Sequence, residues 1–142
     1  MLKKLLASGS IMILALFLVS TSVFAATNEA PTKDQQEALK IIEKANNEIN
    51  QKIEKAVEKA DSLQKKYLND IKDIEPSKLA ERTEKYNEQL NEIITKLYDE
   101  TLEISNEAIQ KAAELGVKAE CTWVLVKLAD QSVWIDPLVV GL

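Results

Sequence analysis

The chain has 142 residues, 46% hydrophobic and 29% charged, with three Gly, three Pro and a net charge of −5, a composition that fits one modest folded domain and excludes a disordered tail. It holds no His and one Cys, which excludes a catalytic His base, a His-rich metal centre, a four-cysteine zinc site and an internal disulfide framework. The excess of acids weighs against nucleic acid and anionic lipid as general partners.

Lys3 and Lys4 precede the apolar run Ile11–Val19, and Val23-Phe24-Ala25 places small or branched residues where a signal peptidase reads them. This pattern predicts a cleaved secretory signal peptide over 1–25. The apolar run is shorter than the roughly 18 to 20 residues that span a bilayer, and Ser8, Gly9 and Ser10 stop its extension. Cleavage after Ala25 removes two bases and no acid, leaving 117 residues with 16 bases against 23 acids and a net charge of −7. Arg82 is then the single arginine among those bases. With so little Cys, the expected location is extracellular, a Gram-positive host being favoured and a periplasmic location the alternative.

After a polar lead at 26–33, Thr32-Lys33-Asp34-Gln35 matches a capping box and predicts a helix start. From Ala38 to Ile74 the apolar positions return every 3.6 residues on average, the α-helical period. Pro76 lacks an amide donor and restrains Glu75, yet suits a first helical turn, so one helix should end near Asp73 and a second begin near Pro76. The same period runs from Leu79 to Leu115, and Gly116 follows as a left-handed cap. Two helices of about 40 residues, each about 60 Å long, joined by a turn near 74–77 must lie antiparallel to bury their stripes. A step of 3.6 rather than 3.5 encodes no strong supercoil. A local break is expected around Asp99 to Asn106.

The second helix carries an added apolar stripe, Ile94, Tyr98, Leu102, Ile109 and Ala113, and Leu39 and Ile41 lie off the main stripe of the first, so a third element should cover the open end of the pair. The segment 117–142 supplies it. Trp123 to Val126 and Val133 to Val140 are rich in branched and aromatic residues and predict a β-hairpin from about Cys121 to Val140, its second strand an edge or bent at Pro137. The fold class read from the chain is therefore mainly α: a long antiparallel αα-hairpin over 34–116 with a small C-terminal β-hairpin packed on its open end.

The helix surfaces carry acid-before-base pairs at i,i+4: Glu48 with Lys52, Asp61 with Lys65, Glu81 with Lys85, Glu92 with Lys96, Glu107 with Lys111. Two rows repeat acids instead, Glu84, Glu88, Glu92 and Asp99, Glu103, Glu107. Such rows suit a cation or a basic partner, but a solvated face explains them more simply, and a straight helix cannot surround calcium. Ser62 and Lys65 have the spacing of a nucleophile and its base, but lie mid-helix in a charged pattern. No enzyme activity, cofactor or metal is expected.

Alternation along the strand places Cys121 on the same face as Trp123 and Leu125. In an oxidising compartment this lone thiol can bridge two chains, bind a small thiol or stay free, a buried and inert thiol being favoured and a disulfide-linked dimer the sharper alternative. Trp123, Trp134, Ile135 and Leu138 are the candidate interaction surface, although core packing against the helices is the preferred account of the two tryptophans. The expected function is that of a secreted, non-enzymatic structural or protein-interaction module, acting on a protein partner or by self-association through a helical flank or the β-hairpin edge. Two alternatives are a membrane-active helical protein whose hairpin touches lipid, which is not favoured, and an exported inhibitor or immunity-type binding module.

Overall fold

The computed structural model describes residues 30–140, so the expected signal peptide and its cleavage point lie outside the described residues. Helix α1 spans Lys33–Asp70 and helix α2 spans Pro76–Glu114; four short strands follow, β1 (Ala119–Cys121), β2 (Val124–Leu128), β3 (Gln131–Ile135) and β4 (Leu138–Val140). The two helices pack along their length and the strands form an antiparallel ribbon against them. The architecture is a long αα-hairpin with a C-terminal β-hairpin, as the periodicities predict.

The helix ends follow from local chemistry. Thr32 Oγ1 accepts the Gln35 amide at 3.2 Å while Gln35 Oε1 accepts the Thr32 amide at 2.9 Å, a complete capping box. Helix α1 stops at Asp70, three residues earlier than the spacing suggests, because five residues are spent reversing the chain before Pro76 opens α2. At the far end Gly116 takes φ 75°, the Val117 amide donates to Ala112 O at 2.9 Å and the Gly116 amide to Ala113 O at 3.0 Å. These two bonds satisfy orphan carbonyls of the last turn in a Schellman motif.

The expected break near Asp99 to Asn106 does not occur, and α2 runs through it unbroken. Thr101 Oγ1 donates back to Leu97 O at 2.9 Å, and Ser105 Oγ donates outward to Asp136 O at 2.9 Å. Both hydroxyls are buried and partnered: Ser105 bonds outside the helix, whereas Thr101 shares the Leu97 carbonyl with the helix ladder, and α2 stays continuous across it.

The core has two parts. Near the open end, Ala38, Ile42 and Ala45 of α1 meet Ala108 and Ala112 of α2, closed over by Val117, Ala119 and Leu138. Farther along, Ile49, Ala56 and Ala60 meet Tyr86, Leu90 and Leu97, closed over by Leu128, Ala129 and Ile135. Alanines along the α1 seam leave room for the close approach of two helices. Burying each Ile or Leu here contributes roughly 1.5 to 3 kcal/mol. Beyond the ribbon, Tyr67 and Tyr86 stack with ring centroids 4.4 Å apart.

The ribbon has one register and two halves. Ala119 pairs with Val140, Cys121 with Leu138, Val124 with Ile135 and Leu128 with Gln131. That shared offset sets Thr122 opposite Pro137 and Trp123 opposite Asp136 in the gap between the two ladders. Thr122 donates its amide to Pro137 O at 2.7 Å, but proline has no N–H to return, and the ladder is broken there.

At this break the ribbon turns over. In β1 the odd residues Ala119 and Cys121 face inward; in β2 it is the even residues Val124, Val126 and Leu128. Correspondingly β1 and β3 lie on α2, whereas β2 and β4 lie on α1. The sequence expectation that Cys121 shares a face with Trp123 and Leu125 is therefore wrong: strict alternation fails where Pro137 interrupts the ladder.

Candidate interaction surface

The inner face of the β2–β3 half is Val124, Val126, Leu128, Val133 and Ile135, all packed on the helical core. Its outer face is Trp123, Leu125, Lys127, Ser132 and Trp134. The three large members of that face are open to solvent, Trp123 at 51%, Leu125 at 57% and Trp134 at 57%. Leu125 stands directly opposite Trp134, and Trp123 is its diagonal neighbour, so the three form one apolar cluster. Lys127 and Ser132, the next pair toward the turn, end it with polar groups.

The four residues expected as an interaction surface are separated by this arrangement. Ile135 and Leu138 are buried core residues, because their faces of β3 and β4 are those turned to the helices. Trp123 and Trp134 are exposed, which overturns core packing as their account: the smaller branched residues fill the narrow space above the helix seam. Leu125 belongs with them and was missed as a surface residue; its period-two spacing from Trp123 was the available signal.

Four polar contacts hold the ribbon in place. At the turn, Ala129 takes φ 55° and Asp130 Oδ1 accepts the Tyr86 hydroxyl at 2.7 Å. Burial, reinforced by the bond to Asp130, pushes the Tyr86 phenol far above its usual range. At the other end of β3, Asp136 O takes the Ser105 hydroxyl. On β4, Asn46 Nδ2 donates to Leu138 O at 2.9 Å while Leu138 N donates to Asn46 Oδ1 at 2.8 Å. That carboxamide takes the place of a neighbouring strand. Nothing in the sequence marks Asn46 or Ser105 for this, since both read as polar positions of a helix.

Cys121 is a half-buried free thiol whose Sγ lies 3.6 Å from Asp136 Oδ2. Burial and then the Asp136 carboxylate raise its pKa, which suppresses the reactive thiolate. Asp136 is 1% exposed, and its Oδ1 has no hydrogen-bond partner among the described residues. Ser105 O–H is spent on the Asp136 backbone, so Cys121 is the side-chain donor this carboxylate has.

The charged surface is tied both across the helices and along them. Of the five expected i,i+4 pairs, Glu107 with Lys111 forms, at 3.1 Å. Lys52 instead reaches Glu100 of the other helix at 3.1 Å and Arg82 pairs with Asp70 of α1, while Lys96 approaches Glu100 one turn on along its own helix at 3.8 Å. For Lys52 the acid across the seam takes the place of Glu48 a turn away. Glu84, Glu88, Glu92, Asp99 and Glu103 make no ion pair among the described residues. No cluster of three or more potential metal ligands occurs among the described residues.

Two shallow grooves run along the outer sides of the helices, one lined by Lys40, Lys44, Lys52 and Lys55 with Glu43 and Glu48, the other by Glu88, Glu92, Asp99 and Glu100 with Lys96. No described helix is long and apolar enough to cross a membrane. Comparison with protein-family models, with curated proteins and with solved structures finds no match to this chain.

Proposed function

We propose that this protein is an exported, non-enzymatic interaction module that contacts another protein through the outer face of its β-hairpin. The observation that carries the reading is the exposed cluster of Trp123, Leu125 and Trp134. Tryptophan is enriched among residues that dominate binding energy, and two tryptophans and a leucine left in water on a rigid, docked ribbon are costly unless a partner covers them. The export pattern at 1–25 and the absence of His from the chain agree with action outside the cell by surface rather than by reaction.

The test is a photo-crosslinking amino acid placed at Leu125, with a control at Lys59 on the exposed side of α1. Incubation with the culture fluid and cell envelope of the producing organism should give a saturable adduct from position 125 and none from position 59. The adduct should disappear in the Trp123→Ala/Trp134→Ala double variant. Equal labelling at both positions, or no adduct at 125, would reject the reading.

A further inference from the structure

We propose that the free edge of β3 accepts an extended, basic segment of the partner protein as an added strand, a step that rests on the interaction reading above and names the chemistry of the partner. The register fixes which backbone groups face outward. The bond from Thr122 N to Pro137 O makes that pair a hydrogen-bonded one, and alternation then makes Val124 with Ile135, Val126 with Val133 and Leu128 with Gln131 hydrogen-bonded as well. The residues between them, Leu125, Lys127, Ser132 and Trp134, aim their N–H and C=O groups away from the ribbon.

Farther along the same edge, past β3, the helices take up outward backbone groups at two residues. Asn46 takes both outward groups of Leu138, and Ser105 takes the outward carbonyl of Asp136. At Ser132 and Trp134 no backbone or side-chain hydrogen bond of this kind is made among the described residues. An open edge of this sort is a template for strand addition.

The two edges differ in what lies beside them. Ser105 shows which flank of α2 borders β3: it is about 80° around the helix from the buried Leu97, and Tyr98 and Leu102 lie about 100° and about 140° around in the same sense at 3.6 residues per turn. Both fall between Tyr86 and Ser105, the two α2 residues that tie down the ends of β3. Tyr98 is 40% exposed and Leu102 partly so. The matching flank of α1, beside β2, carries Asn50, Glu54 and Asp61, all exposed. A strand added to β3 would therefore meet Tyr98 and Leu102 beside the exposed Asn87 and Asn91, whereas one added to β2 would meet Asn50, Glu54 and Asp61 with no large apolar group exposed among them.

Charge selects the occupant. The solvent side of α2 beyond this flank holds Glu84, Glu88, Glu92 and Asp99, which lack ion pairs among the described residues, and the chain as a whole is acidic. A second copy would bring the same acids edge to edge, and a segment with lysine or arginine between apolar residues complements both the floor and its rim.

The probe is a nine-residue peptide alternating lysine and valine, added to the full chain while amide hydrogen exchange is followed by NMR. It should slow exchange at Trp134 at least tenfold. A glutamate-for-lysine peptide should bind at least tenfold more weakly, and so should a peptide with methylated backbone amides. Ser132→Pro, which removes an outward donor from a position that makes no ladder bond, should weaken binding at least tenfold while leaving exchange at Val126 and Val133 unchanged. Equal binding by the methylated peptide would overturn strand addition and leave the outer-face reading standing. Protection of Trp134 that rises with protein concentration alone would assign the edge to a second copy and overturn the proposal, as would protection by neutral phosphatidylcholine vesicles but not by the peptide. No protection by the lysine and valine peptide would overturn it outright. Failure of the broader reading shows separately, as the missing adduct at position 125.

Discussion

The two halves of the β-ribbon share a register but are treated oppositely by the rest of the chain. On the β1–β4 side of Pro137, the inward residues are Ala119, Cys121 and Leu138, and Asn46 closes the outer edge of the backbone. On the β2–β3 side the inner face is packed just as fully by Val126, Leu128 and Ile135, yet Trp123, Leu125 and Trp134 are left in water. The first half has every reason for its residues inside the fold. The second has more apolar surface than the fold uses, and that surplus is what makes it a candidate for contact with another molecule.

The sharpest way to break this comparison is to change neighbours on opposite faces of β3. Ile135→Ala empties a fully buried site and should cost about 2 to 5 kcal/mol in chemical denaturation. Trp134→Ala, one residue away, should cost less than about 1 kcal/mol, as surface changes do. Comparable losses would mean that Trp134 is part of the core and that the surplus is illusory. On the other half, Asn46→Ala removes both caps of Leu138 and should cost about 1 to 3 kcal/mol. It should also speed amide exchange at Leu138, with no comparable change at Trp134.

These contrasts explain what the sequence could and could not reveal. The helical period, the Thr32 capping box and Gly116 are local signals, each involving residues within a turn or two, and they placed both helices. The strand content was equally local. The polar interval between the two β runs placed the turn within 128–132, but with no glycine in it nothing told that Ala129 takes the positive φ. The reversal of faces at Pro137 could not be read from alternation, since it depends on how a two-stranded ribbon twists over a pair of helices. Asn46 and Ser105 act across 92 and 31 residues of chain, so no spacing rule reaches them. Of the four expected surface residues, the two tryptophans are exposed and Ile135 and Leu138 are buried: bulk pointed to core packing for the tryptophans, whereas smaller branched side chains fill the inner face of the ribbon.

The turn of the β2–β3 half is held by one bond, and its loss should have an intermediate effect. Tyr86→Phe deletes the donor to Asp130, which is exposed and can turn to water, so the expected cost is about 1 to 2 kcal/mol. The same variant should alter the response to alkali. Burial and Asp130 raise the Tyr86 phenol pKa in the folded chain, so the unfolded chain releases this proton first, from about pH 10. Folding then loses about 1.4 kcal/mol per pH unit from this group as pH climbs above that point. Denaturant titrations between pH 9 and 11 should show this component in the wild type and lack it in Tyr86→Phe. An unchanged slope would mean that the turn is not anchored through this hydroxyl.

The smallest effect is expected at Cys121, in the sealed half. Its thiol packs against Leu138 and its neighbours and lies beside the Asp136 carboxylate. Both surroundings disfavour the thiolate, so reaction with a disulfide reagent at pH 8 should be slower than for the unfolded chain, and non-reducing electrophoresis should show a single chain. Cys121→Ser keeps a donor to Asp136 at nearly the same place and should change stability by less than about 1 kcal/mol. Because the folded pKa is raised, the thiol also contributes stability below about pH 8.5 that fades as pH rises, and the serine variant should lack that decline. A disulfide-linked dimer in the wild type would show that the half-buried Cys121 thiol is open to another chain. That result would weaken the contrast between the halves, because the half closed by Asn46 would then also make contacts between molecules.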